Sequence, residues 1–185
     1  PIYKNMVDEY IAKKLQKGDI IVISTSGNFI SWLIQRFTDS IWSHTGIYIG
    51  DGQWIEATMP KVKISNIYSL VSQYSYRKFE VLRLKKELDV ELQDIIISES
   101  KKCLGLRYDI LGNIGQILSI IFGKTYFLKH LQLRKQYYCS EFVGKVFSKI
   151  GIKFSKDKDY HITPEDIAKS KKLKIILDFY TKEKV

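Results

Sequence analysis

Cysteine and proline are scarce here: two and three residues in a chain of 185. Two cysteines, Cys103 and Cys139, do not make a disulfide framework for a domain of this size, and a bridge between them would leave no thiolate for chemistry. No apolar run reaches the 18 residues of a membrane-spanning helix. His44, His130 and His161 are scattered, and neither a CxxC nor an HExxH spacing occurs, so the sequence gives no metal site and implies no cofactor. Repeats and low-complexity linkers are also missing. The expectation is one domain over residues 1–185, long enough to bury a core without staples. The chain opens on Pro1 rather than Met, which leaves a removed leader, lipoprotein signal or tag open.

Charge is abundant and uneven. The net charge is +10. Residues 1–60 carry 5 Lys and Arg against 6 Asp and Glu, whereas residues 61–185 carry 25 against 14. A solvated lysine-rich surface accounts for this; so does attraction to an anionic membrane or cell-wall surface. Nucleic acid is not expected, because no nucleic-acid-binding motif accompanies the charge. An extracytoplasmic or envelope-associated location is slightly favoured over a cytoplasmic one.

Hydrophobic periodicity supplies the elements. Residues 5–16 read as a short amphipathic helix, followed by the turn Lys17-Gly18-Asp19 and a buried strand over Ile20–Ile23. Residues 29–37 have helical spacing. His44–Ile49 and Gln53–Thr58 read as strands joined at Gly50-Asp51-Gly52. Residues 64–74 read as loop and short helix, Phe79–Leu84 as a strand, and Leu88–Cys103 as a helix of about four turns. Tyr138–Ile150 reads as a helix closed by Gly151. Thr163-Pro164-Glu165-Asp166 starts another, with Thr as cap, Pro in the first position and acids in the first turn. Leu173–Phe179 is a final strand.

Three residues stand out chemically. Cys139 occupies the first turn of its helix, where the dipole favours a thiolate; the same position also suits a buried core cysteine. His44 begins a strand on whose one face Gly46 and Tyr48 follow, while Ile47 and Ile49 take the other. Beside the small positions Thr45 and Gly46 there is room for a substrate or a partner side chain, although a structural histidine fits as well. Glu56 depends on the hairpin. A three-residue loop pairing Gly50 with Trp54 sets Glu56 opposite Tyr48, on the histidine's face, where it can orient the imidazole; a two-residue loop turns it away.

Taken in order, Lys17-Gly18-Asp19-Ile20-Ile21, Ser43-His44-Thr45-Gly46-Ile47-Tyr48-Ile49-Gly50, Ile55-Glu56-Ala57, Gly105-Leu106-Arg107-Tyr108-Asp109, Tyr138-Cys139-Ser140-Glu141-Phe142-Val143 and Thr163-Pro164-Glu165-Asp166 resemble the NlpC/P60 superfamily of papain-like cysteine hydrolases. More narrowly they resemble its circularly permuted YaeF/YiiX branch, over roughly residues 17–170. The resemblance implies an α+β fold, an antiparallel sheet packed against helices, with Cys on a helix and His on the sheet. Permutation explains why His precedes Cys. It also implies Cys139 as nucleophile, His44 as general base and Glu56 as the residue orienting His44. The oxyanion hole would use the nucleophile's own N–H and a nearby polar group, for which Tyr108 and Tyr138 are candidates.

The expected activity is that of a thiol amidase or peptidase, acting through an acyl-enzyme on a small amide such as a peptidoglycan stem peptide or an N-acyl amino compound. Residues 110–136 leave an alternative open. Their first half is greasy and their second half basic, which suits a lid or a membrane-facing insertion and a lipid-directed acyl hydrolase or acyltransferase. A binding module that kept the fold without catalysis is the third reading.

Overall fold

A computed structural model describes residues 10–11, 13–25, 35–36, 40–68, 76–108, 136–154 and 162–180. The expected helix over residues 29–37 falls within them only at residues 35–36, which are helical, and the greasy segment 110–135 lies outside them. Its centre is one six-stranded sheet. The strands are β1 (Ile20–Thr25), β2 (His44–Gly50), β3 (Gln53–Ala57), β4 (Val62–Asn66), β5 (Tyr76–Leu84) and β8 (Leu173–Tyr180), in the order β4-β3-β2-β1-β5-β8, every neighbouring pair antiparallel. Two short strands, β6 (Arg107–Tyr108) and β7 (Gln136–Tyr137), pair in parallel beside it. The helices are α1 (Val90–Lys102), α2 (Cys139–Ser148) and α3 (Pro164–Ala168). This is the expected α+β arrangement.

Alternation along the strands divides the core in two. Ile20, Val22, Ile47, Ile49, Ile55 and Leu82 bury one face under Phe142, Val143, Val146 and Phe147 of α2, with Ile96 of α1 and Ile167 of α3. Ile21, Ile23, Tyr48, Trp54, Val81 and Leu177 form the other core with Ile11 and Leu15. The continuous apolar run of β1 serves both, which is why it reads as a buried strand.

Helix ends follow their sequence signals. Asp89 caps α1 through Leu92 N–H, so the helix begins at Val90 rather than at Leu88. Thr163 and Asp166 form a reciprocal capping box on α3, with Pro164 in the first turn. Gly151, at φ 76°, turns the chain just past α2. No helix among the described residues is long and apolar enough to cross a membrane.

Two expectations are corrected. Residues 62–66 form β4, an edge strand paired with β3, where loop and short helix were expected from residue 64 on. Only Val62 and Ile64 carry its apolar pattern, and Ile64 is exposed, so packing gives the sequence little to reveal. The β2–β3 hairpin also closes differently. Asp51 and Gly52, at φ 52° and 68°, make a two-residue turn flanked by the pair Gly50–Gln53. A register shift between Tyr48 and Gly50 then inserts one residue, so that Glu56 opposes Gly46 instead of Tyr48. Without that bulge a two-residue turn would put Glu56 on the wrong face; with it, parity is restored. The Tyr48 hydroxyl accepts the Gly52 N–H at 3.1 Å and pins the turn.

Candidate active site

His44 is the first residue of β2, and its backbone is tied down on both sides. Ser43 N–H donates to Ile23 O at 3.0 Å, and Thr45 Oγ1 donates to Ile21 O at 2.8 Å. The Ser43 hydroxyl is itself engaged, accepting Thr25 N–H at 2.9 Å. The imidazole packs edge-on against Trp54, centroids 5.7 Å apart. Gly46 is small because that indole lies over it: a Cβ there would come within 2.5 Å of Trp54 Cε3 and 2.6 Å of Ile55 O.

Glu56 lies on the same face. His44 Nε2–H donates to Glu56 Oε2 at 2.6 Å, and Ser65 Oγ donates to Glu56 Oε1 at 2.6 Å. Lys63, directly opposite Glu56 on β4, brings its ammonium to 3.9 Å from Oε1. Burial pushes the Glu56 carboxyl up, but the bonds to His44 and Ser65 and the positive charges of His44 and Lys63 outweigh it, leaving its pKa below the ordinary 4.5.

Cys139 arrives from the other layer. Residues 106–108 are stitched to residues 60–62 at the start of β4 by Val62 N–H to Leu106 O at 2.9 Å and Tyr108 N–H to Pro60 O at 3.0 Å. β6 then pairs with β7, and β7 leads through Tyr138, the cap residue, into Cys139 at the first position of α2. Ser140 Oγ donates to Ile162 O at 2.6 Å and fixes the helix start against the approach to α3. The helix packs on the Ile47–Ile49 face, away from the histidine. The two elements meet where both begin, and there the Cys139 side chain is within hydrogen-bond reach of the imidazole.

The imidazole is buried, which by itself disfavours its charge. Hydrogen bonds to Cys139 and Glu56, and the negative charge of each, reverse the balance and push its pKa up from 6.5 to about 10. Cys103 differs: it is free and half-buried at the end of α1, where burial pushes its thiol up, and its Sγ–H donates to Glu99 O at 3.5 Å.

The structure thus brings Cys139, His44 and Glu56 together. It places Tyr138 beside Cys139 with its side chain buried, and Tyr108 half-buried on β6, one strand from the cysteine helix. Ser65 and Lys63 were not singled out in the sequence. Their signal would have been the alternation Lys63-Ile64-Ser65 on a strand whose existence was itself hidden.

A family model described as permuted papain-like amidase enzyme, YaeF/YiiX, C92 family, matches residues 14–181. No curated protein matches the chain. Among solved structures it is similar to the metalloprotein yiiX from Escherichia coli O157:H7, with a TM-score of 0.69 at 20% identity, over 91% of this chain and 99% of that one. That likeness is one of fold. Among the described residues no three His, Cys, Asp or Glu side chains are grouped to hold an ion, and His44 Nε2 is bonded to Glu56.

Proposed function

The chain belongs to the YaeF/YiiX, C92 family of permuted papain-like amidases and is a cysteine-type amide hydrolase; from that premise we propose that Cys139 is its nucleophile, His44 its acid–base group and Glu56 the residue that orients His44. The observation that carries this reading is the His44 side chain, bonded through Nε2 to Glu56 at 2.6 Å and within reach of Cys139.

The steps balance with these groups alone. The Cys139 sulfur attacks the amide carbonyl carbon as its proton passes to the imidazole. The carbonyl oxygen becomes an oxyanion, which takes the Cys139 N–H, one of the helix-start N–H groups with no acceptor inside the helix. The phenol of Tyr108 or Tyr138 supplies the second donor. His44 gives its proton to the departing nitrogen as the C–N bond breaks, leaving a thioester. The neutral imidazole then takes a proton from water as the water oxygen attacks. The C–S bond breaks, the acid leaves, and the proton returns between sulfur and imidazole. The substrate class is a small amide, a peptidoglycan stem peptide or an N-acyl amino compound.

Iodoacetamide labelling followed by intact mass tests the pair, with Cys103 as internal reference. The expected result is fast single labelling at Cys139, slowed about tenfold or more in His44→Ala, while Cys103 reacts slowly in both. Equal Cys139 rates in the two proteins would refute the pairing. An acyl adduct on Cys139 from one member of an amide panel then fixes the substrate class.

A further inference from the structure

Lys17-Gly18-Asp19 and the basic excess after residue 60 both remain outside the catalytic reading, and the fold brings them together. His44 pairs with Ile23, whereas Asp19 precedes the other end of β1, about 13 Å along the strand at 3.3 Å per residue. There, where β1 and β8 begin and β5 ends, lies a cavity of about 440 Å³. Its walls include Lys17, Asp19, Arg83, Lys85, Lys86 and Lys174.

Asp19 and Arg83 neutralise each other. The guanidinium donates from Nε to Oδ1 at 2.7 Å and from Nη2 to Oδ2 at 2.8 Å, and Gln16 N–H donates to Oδ2 at 2.7 Å. Gly18, at φ 88°, turns the chain between Lys17 and this fork; a Cβ there would also meet Leu88 Cδ1 at 3.0 Å. Four lysines remain in the walls against one further carboxylate, Glu87. Among the described residues no carboxylate is bonded to any of the four ammonium groups. Lys174 stands directly opposite Arg83 across the β5–β8 pair. A concave site of ligand size, with a rigid neutral floor and a ring of unspent ammonium groups, matches a multiply charged anion with several acceptor oxygens.

We propose that this cavity is a binding site for a phosphate-bearing polyanion, separate from the Cys139 site. The phosphate groups come from a soluble phosphorylated compound or from a lipid headgroup; both present the same oxygens to the lysines.

Calorimetry with inorganic tripolyphosphate tests the site on the full chain. The expected result is saturable 1:1 binding that weakens with salt. The double variant Lys85→Glu/Lys174→Glu loses about tenfold or more in affinity, whereas Lys101→Glu/Lys149→Glu, with the same change of net charge, stays within about threefold. Cys139→Ala binds as the wild type does, so failure here is distinguishable from failure of the catalytic assignment. Sedimentation with phosphatidylcholine vesicles, with and without phosphatidic acid, separates the sources. Vesicle binding that tripolyphosphate displaces, and that the first double variant loses, identifies the headgroup; tripolyphosphate binding without vesicle binding identifies the soluble compound. No saturable binding, or equal loss in the two double variants, overturns the proposal.

Discussion

Glu56 and Asp19 are both buried carboxylates, both on the same face of the sheet by strand alternation, and both bonded to one cationic side chain. Their acidities move in opposite directions. Burial raises Asp19 above its ordinary 3.8 in spite of Arg83, whereas Glu56 is held below 4.5 in spite of burial. Asp19 is the more enclosed, at 1% exposure against 8%. Depth is only part of the difference. Arg83 cannot give up its proton, so the Asp19 fork is a fixed joint between β1 and β5. His44 can, and the Cys139 side chain acts on it as well. A carboxylate on a permanent cation holds strands; one on an imidazole tunes where a proton sits.

The sharpest way to break this comparison is to remove the cation on each side. At the catalytic end, His44→Ala is expected to lower kcat/KM for an amide substrate by about 10³-fold. At the far end, Arg83→Met strands the Asp19 carboxylate. The expected loss is about 3 kcal/mol of stability at pH 7, read by urea unfolding. Because Asp19 already has a raised folded pKa, its ionisation opposes folding; its favourable contribution is full below 3.8 and is lost as pH rises through the folded value. The Arg83→Met deficit should therefore shrink on acidification. If it is constant with pH, or if Arg83→Met reduces turnover as much as His44→Ala does, the contrast between joint and proton site is wrong.

Next in size is Glu56→Gln. Losing the imidazole's carboxylate is expected to reduce kcat/KM by about 10- to 100-fold. The pH profile is the more specific readout. In the wild type the His44 contribution to stability is present below 6.5 and is lost as pH rises through about 10. The Glu56 contribution is present above 4.5 and is lost as pH falls through its lower folded value. Glu56→Gln should move the alkaline loss toward 6.5 and remove the acid one. Urea unfolding across pH checks both limbs, and an alkaline limb that stays in place would mean that Glu56 does not hold the imidazolium.

The comparison also marks what the sequence could reveal. Cys139 and His44 were legible because each opens an element whose period is clear: helical for Phe142, Val143, Val146 and Phe147, alternating for Ile47 and Ile49. The face of Glu56 hung on the hairpin: the sequence needed a three-residue loop to set it beside His44, and the structure reaches that face by another route. The Gly50 bulge and the two-residue turn each shift parity by one, and their effects cancel. The Asp19–Arg83 fork joins residues 64 apart, and nothing local in either segment predicts it. β4 escaped because an edge strand needs little apolar surface, and with it went the two residues that complete the Glu56 environment.

Ser65 gives the smallest and most discriminating prediction. Its hydroxyl is the group that holds the Glu56 oxygen turned away from the imidazole, at 2.6 Å, and it stands on β4 opposite Trp54, the ring that borders His44. Ser65→Ala removes one hydrogen bond to a charged acceptor, worth about 1–2 kcal/mol. Part of that loss is expected as stability, and part as a fall of about 3- to 5-fold in kcat/KM. Ser65→Thr keeps the hydroxyl and should restore turnover. Rescue by Thr would identify the hydroxyl bond, rather than strand packing, as the link between β4 and the proton on His44. Equal loss in Ala and Thr would make β4 a mere edge of the sheet and leave Glu56 positioned by β3 alone.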